Sequence, residues 1–184
     1  MTATRGERAA LGGLLAGSAA LYLVNLTVNG MANGFYSAAV WAGSLDTKAW
    51  FFGSTDPGNF ATVDKPPLAL WIMGLSARLF GFSSASLLVP QALIGVASVW
   101  FTYAVTARAS TRRAGLLAGA ALAVLPAAGL MFRYDNPDAV MTLLMTVSAY
   151  AVIRALSGSS WWLVLAGAAT GLAFLAKTLQ ALIA

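Results

Sequence analysis

The chain has 184 residues, 59% of them hydrophobic and 9% charged, with a mean hydropathy of +0.77. A soluble domain of this size must cover its exterior with polar and charged groups, so the composition excludes one and points to an integral membrane protein. The absence of histidine and cysteine removes disulfides, thiol nucleophiles and His- or Cys-ligated metals, and the net charge of +5 is too modest and too scattered to suggest nucleic acid as a partner.

Arg5 and Arg8 precede an apolar run over 9–28, read as a first membrane span rather than a cleaved leader. Residues 29–86 form a polar, aromatic and glycine-bearing loop. Inside it, 68–80 is apolar but too short to cross, which predicts a helix lying at the membrane surface. A second span covers 87–107 despite Pro90 and Gln91 near its start, and Arg108, Arg112 and Arg113 follow it. A third span covers 114–132, a fourth 139–156 and a fifth 161–177, after which apolar residues continue to Ala184. The fold class is therefore an all-α integral membrane bundle of about five transmembrane helices, with short interfacial helices in its first loop.

Arginines gather at one set of span ends: Arg5, Arg8, Arg108, Arg112, Arg113 and Arg154. By the positive-inside rule these ends and the N-terminus are cytoplasmic, which puts 29–86 outside a multi-pass cell-membrane protein. Of the six acids, Asp46, Asp56, Asp64, Asp135 and Asp138 all fall on the opposite side, leaving Glu7 inside. Insertion cost explains charges at span ends but not the gathering of acids on one face.

Two acidic motifs stand out there. Asp64-Lys65-Pro66-Pro67 precedes the short apolar helix, and Asp135-Asn136-Pro137-Asp138 opens the fourth span. Each has an ordinary explanation, since proline suits a first helical turn and an acid or amide before it caps free N–H groups. The alternative is a shared pocket of carboxylates with Lys65, Arg133 and Lys177, suited to a phosphate. The aromatics of the first loop (Phe35, Tyr36, Trp41, Trp50, Phe51, Phe52 and Phe60) read as a headgroup-level belt, with stacking on sugar as the other option.

The segments Ala32-Asn33-Gly34-Phe35-Tyr36-Ser37-Ala38-Ala39, Phe51-Phe52-Gly53-Ser54, Val63-Asp64-Lys65-Pro66-Pro67-Leu68, Leu79-Phe80-Gly81-Phe82-Ser83, Val89-Pro90-Gln91-Ala92-Leu93, Asn136-Pro137-Asp138 and Leu172-Ala173-Phe174-Leu175-Ala176-Lys177 follow in order. In these the chain resembles the N-terminal portion of the bacterial membrane glycosyltransferases of family 39, related to protein O-mannosyltransferases and to the lipid A aminoarabinose transferase. The resemblance implies a GT-C fold, a polyprenyl-phosphate sugar donor, and inverting transfer to an acceptor hydroxyl on protein, glycan or lipid outside the cytoplasm. It assigns Lys65 to the donor phosphate and carries over Asp64, Asp138 and Lys177 as site residues.

Two departures from that family bear on the chemistry. Many relatives carry an acid in the first loop, commonly taken as the base, where this chain has Ala32 and Asn33. The base then passes to Asp64 or Asp56, with Asp46 and Asp135 as further acids. Relatives are also far longer, so this chain alone is expected to lack donor-tail and acceptor contacts and to be incomplete as a catalyst.

The chemistry needs stabilisation of a phosphate leaving group, assigned to Lys65 with Arg133 and Lys177, and a general base. A divalent metal bridging acid and phosphate is compatible with it and not demanded. The rival reading is a transporter or flippase, which would carry ionisable residues at mid-span; spans one to four keep theirs at the ends. A third reading is a non-catalytic membrane fragment.

Overall fold

A computed structural model describes residues 4–182. Among them the chain is helical without strands, apart from one isolated bridge between Ser54 and Thr62. The helices are α1 (Arg5–Leu23), α2 (Gly34–Leu45), α3 (Thr47–Phe52), α4 (Leu68–Phe80), α5 (Ser84–Ala109), α6 (Arg112–Val124), α7 (Pro126–Met131), α8 (Asp138–Leu156) and α9 (Trp161–Lys177), the last continued by a 3-10 turn over Thr178–Leu182.

Helix ends follow local chemistry. Thr4 and Glu7 close a capping box on α1. α1 stops at Leu23, short of the expected boundary, where Asn25 turns left-handed at φ 51° and Arg133 takes the carbonyls of Leu21, Tyr22 and Asn25. The third apolar run is not one helix: Leu125 is extended and Pro126 starts α7, because proline offers no N–H to the preceding turn and disfavours a helical residue before it.

α5 is the axis of the bundle, packed against α1, α4, α6 and α8, while α9 lies along α8. Gly95 of α5 makes room for Phe132; a Cβ there would stand 2.5 Å from the ring. Phe132 in turn meets Tyr22 at 5.3 Å between centroids, and the Tyr22 hydroxyl donates to the Ala123 carbonyl at 3.1 Å. Large apolar side chains stay exposed around this core, among them Val28, Leu117, Val124 and Leu156. Such a surface is the signature of a protein solvated by lipid.

Three helices among the described residues are long and apolar enough to cross a bilayer: Ser84–Ala109, Asp138–Leu156 and Trp161–Leu182. α1 opens with Arg5, Glu7 and Arg8, and α6 has 13 residues, so neither meets that test alone. In the first loop, α2, α3 and α4 form the expected short helices. Trp71 stacks on Phe51, the Trp50 indole donates to the Trp71 carbonyl, and Arg78 lies over the Trp50 ring while donating to the Gly43 carbonyl. These aromatics hold the loop together; Phe35, Trp41 and Phe60 remain exposed.

Candidate active site

Chain direction sorts the helix ends. α5 and α8 start, and α1 and α9 finish, at the end of the bundle that carries the first loop. Both acidic motifs meet there.

Neither acid is used as a helix cap. α4 begins after Pro67 with no side-chain cap, and Asp64 pairs instead with Lys65. At α8 the Asn136 side chain accepts the Asp138 N–H at 2.7 Å, so the amide caps and the Asp138 carboxylate is released to pair with Lys177 from the end of α9. The bond from Lys65 holds the Asp64 carboxyl below its usual range, and the same bond raises the Lys65 ammonium. The Asp64 side chain is 61% exposed and its neighbour Lys65 30%, so an incoming group can reach both. Asp138 and Lys177 are less open, at 23% and 19%.

Tyr36, in the first turns of α2, reports the assembly. Burial raises its phenol, and the charges of Asp64, Lys65, Asp138 and Asp135 all act on it. Lys65 likewise feels Tyr36 and Asp138. Residues some 100 positions apart are thus drawn into one electrostatic neighbourhood.

Asp135 is the buried member of the group, with no exposed surface. One oxygen accepts the Asn33 N–H at 2.6 Å and the other the Ser37 hydroxyl at 2.9 Å. Burial pushes its carboxyl up to about 6, against those two hydrogen bonds. Sequence reasoning placed Asp135 among reserve acids and Tyr36 among belt aromatics. The usable signals were the two aspartates three apart in one motif and the position of Tyr36 beside Asn33.

Other candidates lie elsewhere. Arg133 is committed to the end of α1, with its closest contact 2.6 Å to the Leu21 carbonyl. Asp56 accepts the N–H groups of Phe60 at 3.1 Å and Ala61 at 3.3 Å and shapes its own turn. Asp46 caps α3 through the Ala49 N–H at 2.7 Å. Among the described residues no three His, Cys, Asp or Glu side chains gather as a metal site.

The arrangement has two lysine–aspartate pairs, a phenol and a buried acid at one end of an apolar bundle. The family described as dolichyl-phosphate-mannose-protein mannosyltransferase matches residues 64–184, starting at the first aspartate of the site. The chain is 35% identical over 169 residues to "Putative mannosyltransferase YycA" of Bacillus subtilis (strain 168), covering 91% of this chain and 25% of that protein. It is 32% identical over 169 residues to "Putative mannosyltransferase YkcB" of the same organism, covering 91% of this chain and 24% of that one. The chain therefore spans about a quarter of the length of the curated relatives it matches. No solved structure matches it. On the family match, which takes in most of its length, the chain belongs to the dolichyl-phosphate-mannose-protein mannosyltransferase family of membrane glycosyltransferases.

Proposed function

We propose that this chain carries the donor-phosphate side of a glycosyl-transfer site, which moves a sugar from a polyprenyl phosphate to an acceptor hydroxyl with inversion. The observation that carries this reading is the meeting of Asp64–Lys65 with Asp138–Lys177 around Tyr36. The relatives' names favour mannose or a similar hexose; the acceptor is a protein, glycan or lipid. The full activity belongs to the longer protein.

Lys65 and Lys177 receive the phosphate, whose charge grows as the glycosidic bond breaks. Each lysine rests on a carboxylate, so the phosphate competes for an ammonium that is already positioned. As Lys65 turns to the phosphate, Asp64 loses the bond that depresses its proton affinity. It then serves as the general base that takes the acceptor's proton. Asp138 keeps Lys177 in place and borders the acceptor side. Arg133, expected to share the lysines' role, is instead held by the carbonyls that end α1. The gathering of arginines at the opposite span ends supports an extracytoplasmic location for this chemistry.

A charge-assisted contact in a sheltered site contributes roughly 1.5–3 kcal/mol. Lys65→Met in the full-length protein therefore weakens binding of a polyprenyl-phosphate sugar by about tenfold or more. Unchanged binding would reduce Lys65 to a partner of Asp64. Orientation is tested on the cysteine-free background. Phe60→Cys, at a side chain 93% exposed in the first loop, reacts with an impermeant reagent in intact cells, and Ser159→Cys does not. The reverse pattern inverts the topology.

A further inference from the structure

We infer that Asp135 is a positioning residue, which fastens the first turn of α2 to the start of α8 and so holds Tyr36 and the Asp64–Lys65 pair opposite the Asp138–Lys177 pair. The catalytic part of this inference rests on the proposed function; the fastening itself does not.

Three observations carry it. Both oxygens of a carboxylate with no exposed surface are spent on one short stretch, the Asn33 N–H and the Ser37 hydroxyl. The backbone before that stretch is bent to suit: Ala32 sits at φ 59°, a conformation that a side chain bearing Cβ rarely adopts, and the Asn33 side chain caps Phe35 at 3.0 Å. The N–H of Asn33 is thereby left facing Asp135. Finally, neither donor depends on Asp135. The Ser37 hydroxyl lies 2.8 Å from the Asn33 carbonyl and 3.0 Å from that of Met31, and the Asn33 N–H lies 2.8 Å from the Met31 carbonyl. An apolar residue at 135 would orphan neither group, so donor satisfaction does not account for a carboxylate buried at this point. Orientation does. Asp135 and Asp138 stand at opposite ends of one four-residue turn. The first grips α2 and the second grips α9 through Lys177.

The test compares parent, Asp135→Leu and Asp135→Asn in the full-length protein. Backbone hydrogen exchange is read over 33–38 and, as a reference, over 95–103 in the middle of α5. In Asp135→Leu, exchange over 33–38 rises about tenfold or more while α5 stays at the parental rate. Asp135→Asn, which keeps an oxygen for Asn33, recovers part of that protection. Parental exchange over 33–38 in Asp135→Leu, or an equal rise in α5, overturns the inference.

The second arm is sugar transfer from a polyprenyl phosphate. In Asp135→Leu kcat falls by about ten- to a hundredfold, and the KM for the donor moves by less than about threefold, because the lysines that meet the phosphate are intact. A KM that carries the whole loss, or an unaltered kcat, overturns the catalytic part. If the parent itself transfers no sugar, the proposed function fails and the exchange arm still decides what Asp135 does.

Discussion

The two ends of the bundle handle charge in opposite ways. At the arginine-rich end, Glu7 meets Arg112 at 2.7 Å with both side chains about one-third exposed, and Arg154 lies over Trp162 at 4.4 Å to the ring centre. Those contacts tie helix starts to neighbours and are shared with solvent or headgroups. At the other end the charges are interlocked: Asp64 with Lys65, Asp138 with Lys177, and Asp135 sealed beneath them. The first pattern is what insertion into a bilayer requires of any multi-pass chain. Within the second, Asp135 runs against stability, since a carboxylate with its proton affinity forced up is a strained group in the folded state. The contrast separates charges that insertion into a membrane explains from charges that it does not.

The sharpest way to break that contrast is Asp64→Asn. As base, Asp64 is worth roughly 10²–10⁴-fold in turnover, so the full-length variant should lose that much sugar transfer while its insertion is unchanged. Because Asp64 caps no helix, a lost cap cannot be the cause of such a drop. Near-parental transfer would send the search for the base to Asp138, Asp56 or Asp46.

Asp135→Asn comes next, and its sign is the informative part. The folded chain favours the protonated acid, so this contribution to stability is complete below the unfolded carboxyl's range near pH 4 and is lost as pH rises through about 6. The whole displacement corresponds to about 3 kcal/mol. Asp64 shares the neighbourhood and is held below the usual carboxylate range, while the Tyr36 phenol and the Lys65 ammonium are raised above theirs, so these three stay outside this window. Denaturation midpoints between pH 4 and 7 should therefore fall with rising pH in the parent and stay flatter in Asp135→Asn. A parental midpoint that does not fall between pH 4 and 7, or one that falls equally in Asp135→Asn, would remove the strain assigned to this carboxyl.

The smallest effect belongs to the arginine-rich end. Glu7→Gln keeps a side chain able to close the capping box and removes only a partly exposed ion pair, with about 0–1 kcal/mol expected. Midpoint and donor affinity should both stay within error of the parent. A marked loss of donor binding would show the two ends to be coupled.

Much of this was legible in the amino-acid order. The apolar runs marked α5, α8 and α9, the short run at 68–80 marked α4, and the pairing of an acidic motif with proline marked the two lysine–aspartate pairs of the candidate site. What escaped depended on distant partners. Nothing near Asp135 announces that it will be buried, because its donors sit at Asn33 and Ser37, on another helix. Arg133 lies one turn from the acids in sequence, yet the free carbonyls ending α1 attract it more strongly. The break at Pro126 was readable in principle; the continuous hydrophobicity around it argued for a single span and concealed it. The capping reading holds for Asn136, which accepts the Asp138 N–H and leaves Asp138 in the first turn of α8, and not for Asp64, because Pro67 stands at the start of α4.

Gly95 gives this geometry an unexpected point of fragility. It lies in the apolar middle of α5 and touches no polar group of the site, yet the ring seated on it belongs to Phe132, three residues ahead of Asp135. A methyl group at that position would lift the ring and tilt the turn that carries both aspartates. In a genetic screen, a change from glycine to alanine in lipid-embedded helix would then score with the loss-of-function alleles of the acids, although the substituted atom never comes near a sugar.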